Sequence, residues 1–457
     1  MLMRLLQVSL VLGALVLFAS THANADDWQA GISRVNITPP ESTWMSGYAS
    51  RDHGAEGKLT DLWAKTIVFV DPSGNRVAAV TLDLVGLSRP TSLRIRDGIE
   101  QAHGIPRSNI ALFCSHTHTG PVVGGNLRSM FELDDAENKK IDDYTDTLVA
   151  DVIRSIGEAN ADLEPVRLAW ACGTATYAVN RRNNREADVP MLRAQGLLNG
   201  PVDHDVPVLS VRAGDELKAV LFGYACHATV LSSYEWSGDH PGFAMIALEE
   251  QYPGTQAMFW AGCGADQNPL PRRTVELAQK YGGMLADAVH NVLNGAMRPV
   301  SGDLKIAYAE IDLGFASIPT KEQLQATLKH ENRYERIRAA LLLQQLDSTG
   351  RVADTYPYPV QTWKLGDGPL GFVLGGEVVV DFSLRLKDEF GVDTTWVAGY
   401  SNDVMAYIAS LRVLKEGRYE GGGAMLYYGL PSAWADDVEE LIVVEAHRQA
   451  ESVGAAD

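Results

Sequence analysis

Cysteine, positive charge and long apolar runs are all scarce in this chain, and each scarcity removes a class of answer. Four cysteines in 457 residues, Cys114, Cys172, Cys226 and Cys263, are too few for a disulfide scaffold. Lys and Arg number 39 against 58 Asp and Glu, a net charge of −19, which argues against nucleic acid as a partner and allows at most a transient contact with a membrane surface. Past residue 25 no run approaches the roughly 18 apolar residues of a membrane span. There is also no P-loop, no GxGxxG after a strand, no HExxH and no GxSxG. Nucleotide-dependent and α/β-hydrolase chemistry lose their support accordingly.

What is present begins with a leader. Arg4, the apolar stretch Leu5–Phe18 and the small-x-small site Ala23-Asn24-Ala25 predict a signal peptide over residues 1–25, with a retained anchor as the alternative. The expected protein is therefore exported, periplasmic or secreted, and starts near Asp26. With 46% apolar and 21% charged residues its composition is that of a globular enzyme. Roughly 430 residues suggest one large α/β unit or two close-packed lobes.

Strand-like and helix-like segments alternate along it. Thr66–Val70 and Val77–Leu82 read as strands around the turn at 71–75, and Ile110–Phe113, Val166–Ala171, Val206–Val211 and Lys218–Ala225 as further strands. Helices are expected over Thr91–His103, closed by Gly104, and over 138–160, 274–294 and 320–345. Mixed elements return near Gly371–Val380, Thr395–Ala398 and Asp436–Gln449. The pattern is α/β with antiparallel hairpins mixed in, so mixed sheets flanked by helices are expected. The Gly-, Pro-, Asp- and Thr-rich stretch 347–370 reads as a loop or lobe boundary.

The densest chemistry lies at Leu112–Asn126, where His116 and His118 sit two apart as an apolar run gives way to a Gly/Pro-rich loop. If that run continues as a strand, both imidazoles point to one side, a start for a zinc centre. Taken singly, the other candidates have ordinary explanations. His227 ends an apolar run, and a lone buried histidine is usually satisfied by hydrogen bonds. Glu377 stands among Leu374, Val378, Val379 and Val380 and needs a metal or an arginine if buried. Tyr407 and Tyr419 read as core or rim tyrosines. His204, between Asp203 and Asp205, reads as a polar strand entry, and His240 as a loop residue. Cys114 and Cys226, each near a histidine, read as small buried apolar groups or a bridge rather than as thiolate ligands.

Several separated segments together resemble the neutral/alkaline (non-lysosomal) ceramidase family. They are Gly31-Ile-Ser-Arg-Val-Asn-Ile-Thr-Pro-Pro40, Met45-Ser-Gly-Tyr-Ala49, Ser115-His-Thr-His-Thr-Gly-Pro121, Asn180-Arg181, Tyr224-Ala-Cys-His227, Ser237-Gly-Asp239, Gly375-Gly-Glu377, Asn402 to Tyr407, and Arg418-Tyr-Glu-Gly421. The resemblance implies the family's catalytic fold and a Zn2+ ion held by His116, His227, Glu377 and Tyr407. It implies further that His118 handles a proton beside the metal, while Arg181 and Tyr419 contact the substrate or the charge building on it. The activity implied is hydrolysis of an amide bond of an N-acyl lipid such as ceramide by metal-activated water, since zinc brings the pKa of a bound water to roughly 7.

Two departures from the family's pattern qualify that expectation. Asn268, in Gly264-Ala-Asp-Gln-Asn-Pro269, falls where the family carries a serine beside the zinc. Asparagine cannot form an acyl-enzyme, although its amide can hydrogen-bond a carbonyl or hydroxyl. Family members also continue into a C-terminal β-sandwich, for which little sequence follows Tyr419, so 26–457 is expected to be a catalytic domain alone. The segment 320–360 has no evident family counterpart. A same-fold zinc hydrolase acting on a glycan, glycolipid or other polar substrate, and a non-catalytic metal-binding relative, are the alternative functions.

Overall fold

The computed structural model describes residues 28–455; the expected signal peptide lies outside the described residues. Trp28–Asn36 (β1), Trp63–Val70 (β2), Arg76–Leu82 (β3), Ile110–Cys114 (β4), Glu164–Thr174 (β5), Asp205–Ala213 (β6), Glu216–Tyr224 (β7) and Gln256–Ala261 (β8) form one sheet in the order β8-β7-β6-β5-β1-β2-β3-β4. The pairs β3–β4 and β7–β8 are parallel and the rest antiparallel. Its strands read as near-continuous apolar runs because both faces are covered. In β2, Val68 turns to one core while Ile67 and Phe69 turn to another.

The first face is covered by helices Arg89–His103 (α1), Asp135–Ala161 (α2), Asp239–Gln251 (α3) and Val275–Leu293 (α4). Ile95 and Ile99 of α1 and Leu148, Val152 and Ile156 of α2 recur at helical spacing and pack against Val68, Val80 and Leu112. Helix α1 ends as its sequence predicts: Gly104, at φ 67°, donates its N–H to the Glu100 carbonyl, an αL cap.

The second face meets another sheet, Leu304–Gly314 (β9), Thr355–Leu365 (β10), Leu370–Leu374 (β11) and Thr395–Ala398 (β12), in that order. Trp363, Leu365, Val373 and Ala398 pack there on Phe69, Phe113, Leu221 and Trp260. The 347–370 stretch expected as a loop or boundary carries strand β10 over residues 355–365, inside this sheet. Its prolines misled the reading. Pro357 and Pro359 pair only with β9, while β11 joins at Val360, so the ladder to β11 needs no N–H from either proline. The single helix expected over 320–345 is two, Lys321–Thr327 (α5) and Arg333–Thr349 (α6), because Asn332 caps a new start by accepting from the Tyr334 N–H. Helices Val380–Phe390 (α7) and Val438–Ser452 (α8) cover the outer face of the second sheet. The layers run helix, sheet, sheet, helix, an α/β fold.

Candidate metal centre

Strand β4 ends at Cys114, so His116 and His118 lie in the loop after it and not on the strand. What brings them together is a bend and not the expected strand alternation. His116 takes φ 60°, a left-handed conformation that costs a non-glycine residue about 1–3 kcal/mol and concentrates at functional sites. The two Nε2 atoms end 3.1 Å apart. His227 arrives from the end of β7. Glu377 and Tyr407 arrive as direct partners in a short parallel pair, Glu377–Val378 against Tyr407–Ile408. Gly376 makes that approach possible: at φ 75°, a Cβ there would lie 2.6 Å from the Ile408 side chain and 2.8 Å from the Ala406 carbonyl.

The ring nitrogens facing outward set the chemistry of those facing inward. His116 donates Nδ1–H to the Val85 carbonyl at 2.7 Å, and His227 donates Nδ1–H to the Gly264 carbonyl at 2.8 Å. A neutral imidazole so anchored presents a bare lone pair at Nε2. Burial, followed by the nearby Arg181, pushes His227 down to about 4, and burial holds His118 well below its usual value. At neutral pH these two rings are uncharged. Glu377 Oε2 stands 3.1 Å from His116 Nε2 and 3.2 Å from His227 Nε2, and no hydrogen bond reaches this buried oxygen. Lone pairs converging on a carboxylate repel one another unless a cation stands between them. Two donor atoms on one zinc at about 2.0–2.1 Å lie roughly 3.3 Å apart, close to the 3.1 and 3.2 Å between Glu377 Oε2 and the two imidazole nitrogens. The donor set fits zinc.

His118 belongs to the same buried cluster, with ligand atoms of His116, His118 and His227 within 4.8 Å of one another, but it differs in one respect. Its Nδ1 has no hydrogen-bond partner, whereas metal-binding histidines anchor their second nitrogen. Tyr407 brings its hydroxyl to 3.4 Å from His227 Nε2.

Arg181 joins the remaining residues. It donates Nη2–H to the Tyr407 hydroxyl at 3.1 Å, Nη1–H to Asn268 Oδ1 at 3.3 Å and Nε–H to Glu420 at 2.7 Å. Tyr419 packs its ring 5.2 Å from that of Tyr407 and is 42% exposed, the most open of these side chains. All eight residues singled out in the sequence therefore gather at one place. Others do not. His204 turns away to the Ala178 carbonyl, and Asp203 and Asp205 pair with Lys387. All four cysteines are free, and burial pushes the Cys114 thiol up to about 12, so it is no thiolate.

Several neighbours of the site were not assigned to it from the sequence. His240 is not in a loop; it sits buried in the first turn of α3 and bridges the Tyr177 hydroxyl to the His227 carbonyl. Tyr400 packs its ring 4.3 Å from His116, with its hydroxyl 3.2 Å from His227 Nδ1. Tyr428 donates a short hydrogen bond to Glu377 Oε1, leaving Oε2 for the cluster. Glu420, which holds Arg181, carried one available signal: it lies inside the Arg418–Gly421 motif. Tyr428→Phe should leave Glu377 Oε1 buried without its donor and weaken zinc binding about 10- to 100-fold. Competition with a chromophoric chelator measures this, and an unchanged affinity would deny Tyr428 that role.

Comparison with known proteins identifies a family. Residues 28–298 match the family described as neutral/alkaline non-lysosomal ceramidase, N-terminal. That range holds His116, His118, Arg181, His227 and Asn268, while Glu377, Tyr407 and Tyr419 fall beyond it. Neutral ceramidase of Pseudomonas aeruginosa is 28% identical over 252 residues, 53% of this chain and 37% of that protein. Neutral ceramidase A of Dictyostelium discoideum is 23% identical over 50% of this chain and 33% of its own length. The matched segments thus span about a third of these relatives. In three dimensions, the crystal structure of the Pseudomonas aeruginosa neutral ceramidase superposes with a TM-score of 0.68 at 21% identity, covering 92% of this chain and 74% of that one. A ceramidase structure described as complexed with C2 gives 0.70 at 20% identity, covering 94% and 76%.

Proposed function

The chain belongs to the neutral/alkaline non-lysosomal ceramidase family, and from that premise we propose that it is an exported zinc hydrolase that cleaves the amide bond of an N-acyl lipid such as ceramide. The observation that supports this most is the convergence of the His116 and His227 Nε2 atoms on the orphaned Glu377 Oε2, beside a guanidinium. His116, His227 and Glu377, with the Tyr407 hydroxyl, would hold the ion. When bound, it supplies an electrophile that polarises the amide carbonyl and acidifies water.

The chain's own residues do the rest. His118 is neutral and buried and turns Nε2 to the cluster, 3.1 Å from His116 Nε2, so that nitrogen can accept a proton from attacking water and return it to the departing amine nitrogen. Arg181, locked by Glu420, keeps its Nη atoms aimed at Tyr407 and Asn268. Negative charge developing on the carbonyl oxygen at that spot would meet preorganised donors, each worth about 3 kcal/mol. Tyr419 closes the open side with an apolar ring and a polar tip. Export to the periplasm or medium agrees with the leader sequence, and among the described residues no helix is long and apolar enough to cross a membrane.

Asn268 separates this reading from one that runs through a serine. Its buried side chain accepts from Arg181 and takes no part in bond-making, so mass spectrometry should trap no acyl-enzyme on it. Asn268→Ala should then cost up to about 3 kcal/mol in kcat/KM, the worth of one oriented contact. If the missing serine is what excludes ceramide, Asn268→Ser should raise cleavage of a fluorescent ceramide. Rapid cleavage by the unaltered protein would show the serine dispensable. Loss of more than about 10⁴-fold in Asn268→Ala would mean that this residue does chemistry unassigned to it here.

A further inference from the structure

The turn Ser46–Arg51 roofs the site: a Cβ on Gly47 would lie 2.4 Å from His118 Nδ1, and the Tyr48 ring is 4.7 Å from the imidazole. Two arginines from distant parts of the chain reach this turn. Arg273, exposed, donates Nη1–H to the Tyr48 hydroxyl at 3.0 Å and lies 5.2 Å from its ring centroid. It is held there at φ 93°, its N–H bonded to the Val230 carbonyl at 2.7 Å, a backbone strain that the surrounding structure must sustain. Arg333, at the start of α6, donates Nη2–H to the Ala49 carbonyl at 3.1 Å and to the Tyr334 hydroxyl at 2.7 Å.

Neither guanidinium is ion-paired to a carboxylate among the described residues. Arg272, next in line, is neutralised by Glu186 at 3.0 Å. Asp52, beside the turn, is taken up by His53 and the Tyr234 hydroxyl. Each guanidinium has five donors, and these two use one and two side-chain hydrogen bonds. A protein of net charge −19 has thus set two guanidiniums without a direct carboxylate partner against the turn that roofs His118, Arg273 with the buried Asp239 in its electrostatic reach, where the uncharged headgroup of ceramide requires neither. From Tyr334 a wall of rings leads inward, to Tyr427 at 4.9 Å, Tyr419 at 6.1 Å and Tyr407 at 5.2 Å. Such a wall suits an organic substrate and not a free inorganic anion.

We propose that Arg273 and Arg333 form a cationic rim that takes an anionic group, of phosphate or carboxylate type, carried on the headgroup of the N-acyl substrate. The proposal deepens the amide-hydrolase reading and rests on it for the rest of the substrate.

The test is fluorescence anisotropy on the metal-loaded full chain, with a fluorescent alkyl phosphate and the alcohol of the same chain length as probes. Neither contains an amide, so binding is read whether or not ceramide is cleaved. The phosphate should bind about tenfold more tightly than the alcohol, the worth of one charge-assisted contact at a partly exposed site. Arg273→Gln and Arg333→Gln should each erase part of that preference and the double variant nearly all of it. The alcohol's affinity and the melting temperature should stay unchanged, and Arg273→Lys should keep part of the preference. Inorganic phosphate at the probe's concentration should not displace it. Equal binding of the two probes, a preference intact in the double variant, or displacement by inorganic phosphate would each overturn the proposal. An intact preference in a protein that cleaves no amide would leave the rim standing and strike the amide reading alone.

Discussion

His227→Ala should bind zinc more than about a hundredfold more weakly than the unaltered protein and lose its turnover with the metal, and His116→Ala should do the same. Loss of anchors that merely orient a ligand already costs 10- to 100-fold, and here the ligand itself goes. The effect is enlarged by what remains. Glu377 Oε2 keeps its place in a buried pocket with one imidazole fewer facing it, and an uncompensated buried carboxylate is costly. Elemental analysis after dialysis against a weak chelator measures the occupancy. Full occupancy in either variant would remove that histidine from the ligand set.

The second large effect is expected at His118. Its replacement by alanine should lower kcat by about 10²–10⁴-fold, the usual worth of a positioned acid–base group, and leave zinc occupancy near that of the unaltered protein. The difference from His116 and His227 lies in the outer nitrogens: theirs are fixed by the Val85 and Gly264 carbonyls, and that of His118 is free. Because burial depresses His118 far below its usual pKa, its neutral form should persist through neutral pH. If His118→Ala loses zinc as readily as His227→Ala does, then His118 is a third imidazole ligand and the proton must be handled elsewhere.

The elements of the first sheet and its helices were readable wherever local pattern and burial agree. Short apolar runs such as Val77–Leu82, and a helix closed by Gly104, carry their structure in short stretches of sequence. The second sheet was harder because Pro357 and Pro359 are ordinary breakers whose tolerance depends on where β11 begins, a long-range fact. The site divides in the same way. His116 and His118 advertise themselves by spacing and by the loop they open. Glu377 and Tyr407 become neighbours only through the register of a two-residue parallel pair. Taken alone they looked like a stray carboxylate and a core tyrosine, and only the resemblance to a family joined them. Tyr400 and Tyr428 had no pattern at all, since a tyrosine that supports a ligand does not differ in sequence from one that fills a core. The bend at His116 was hidden too, because a positive φ at a histidine is imposed by tertiary contacts.

The account rests on a metal at the convergence of His116, His227 and Glu377 that drives amide cleavage. The most direct test follows release of fatty acid from a short-chain fluorescent ceramide by the purified protein as isolated, after chelation, and after return of one equivalent of zinc. Activity that disappears with the metal and returns with it, at one zinc per chain, is the predicted result. Cleavage that continues undiminished in protein shown by elemental analysis to be free of metal would contradict it.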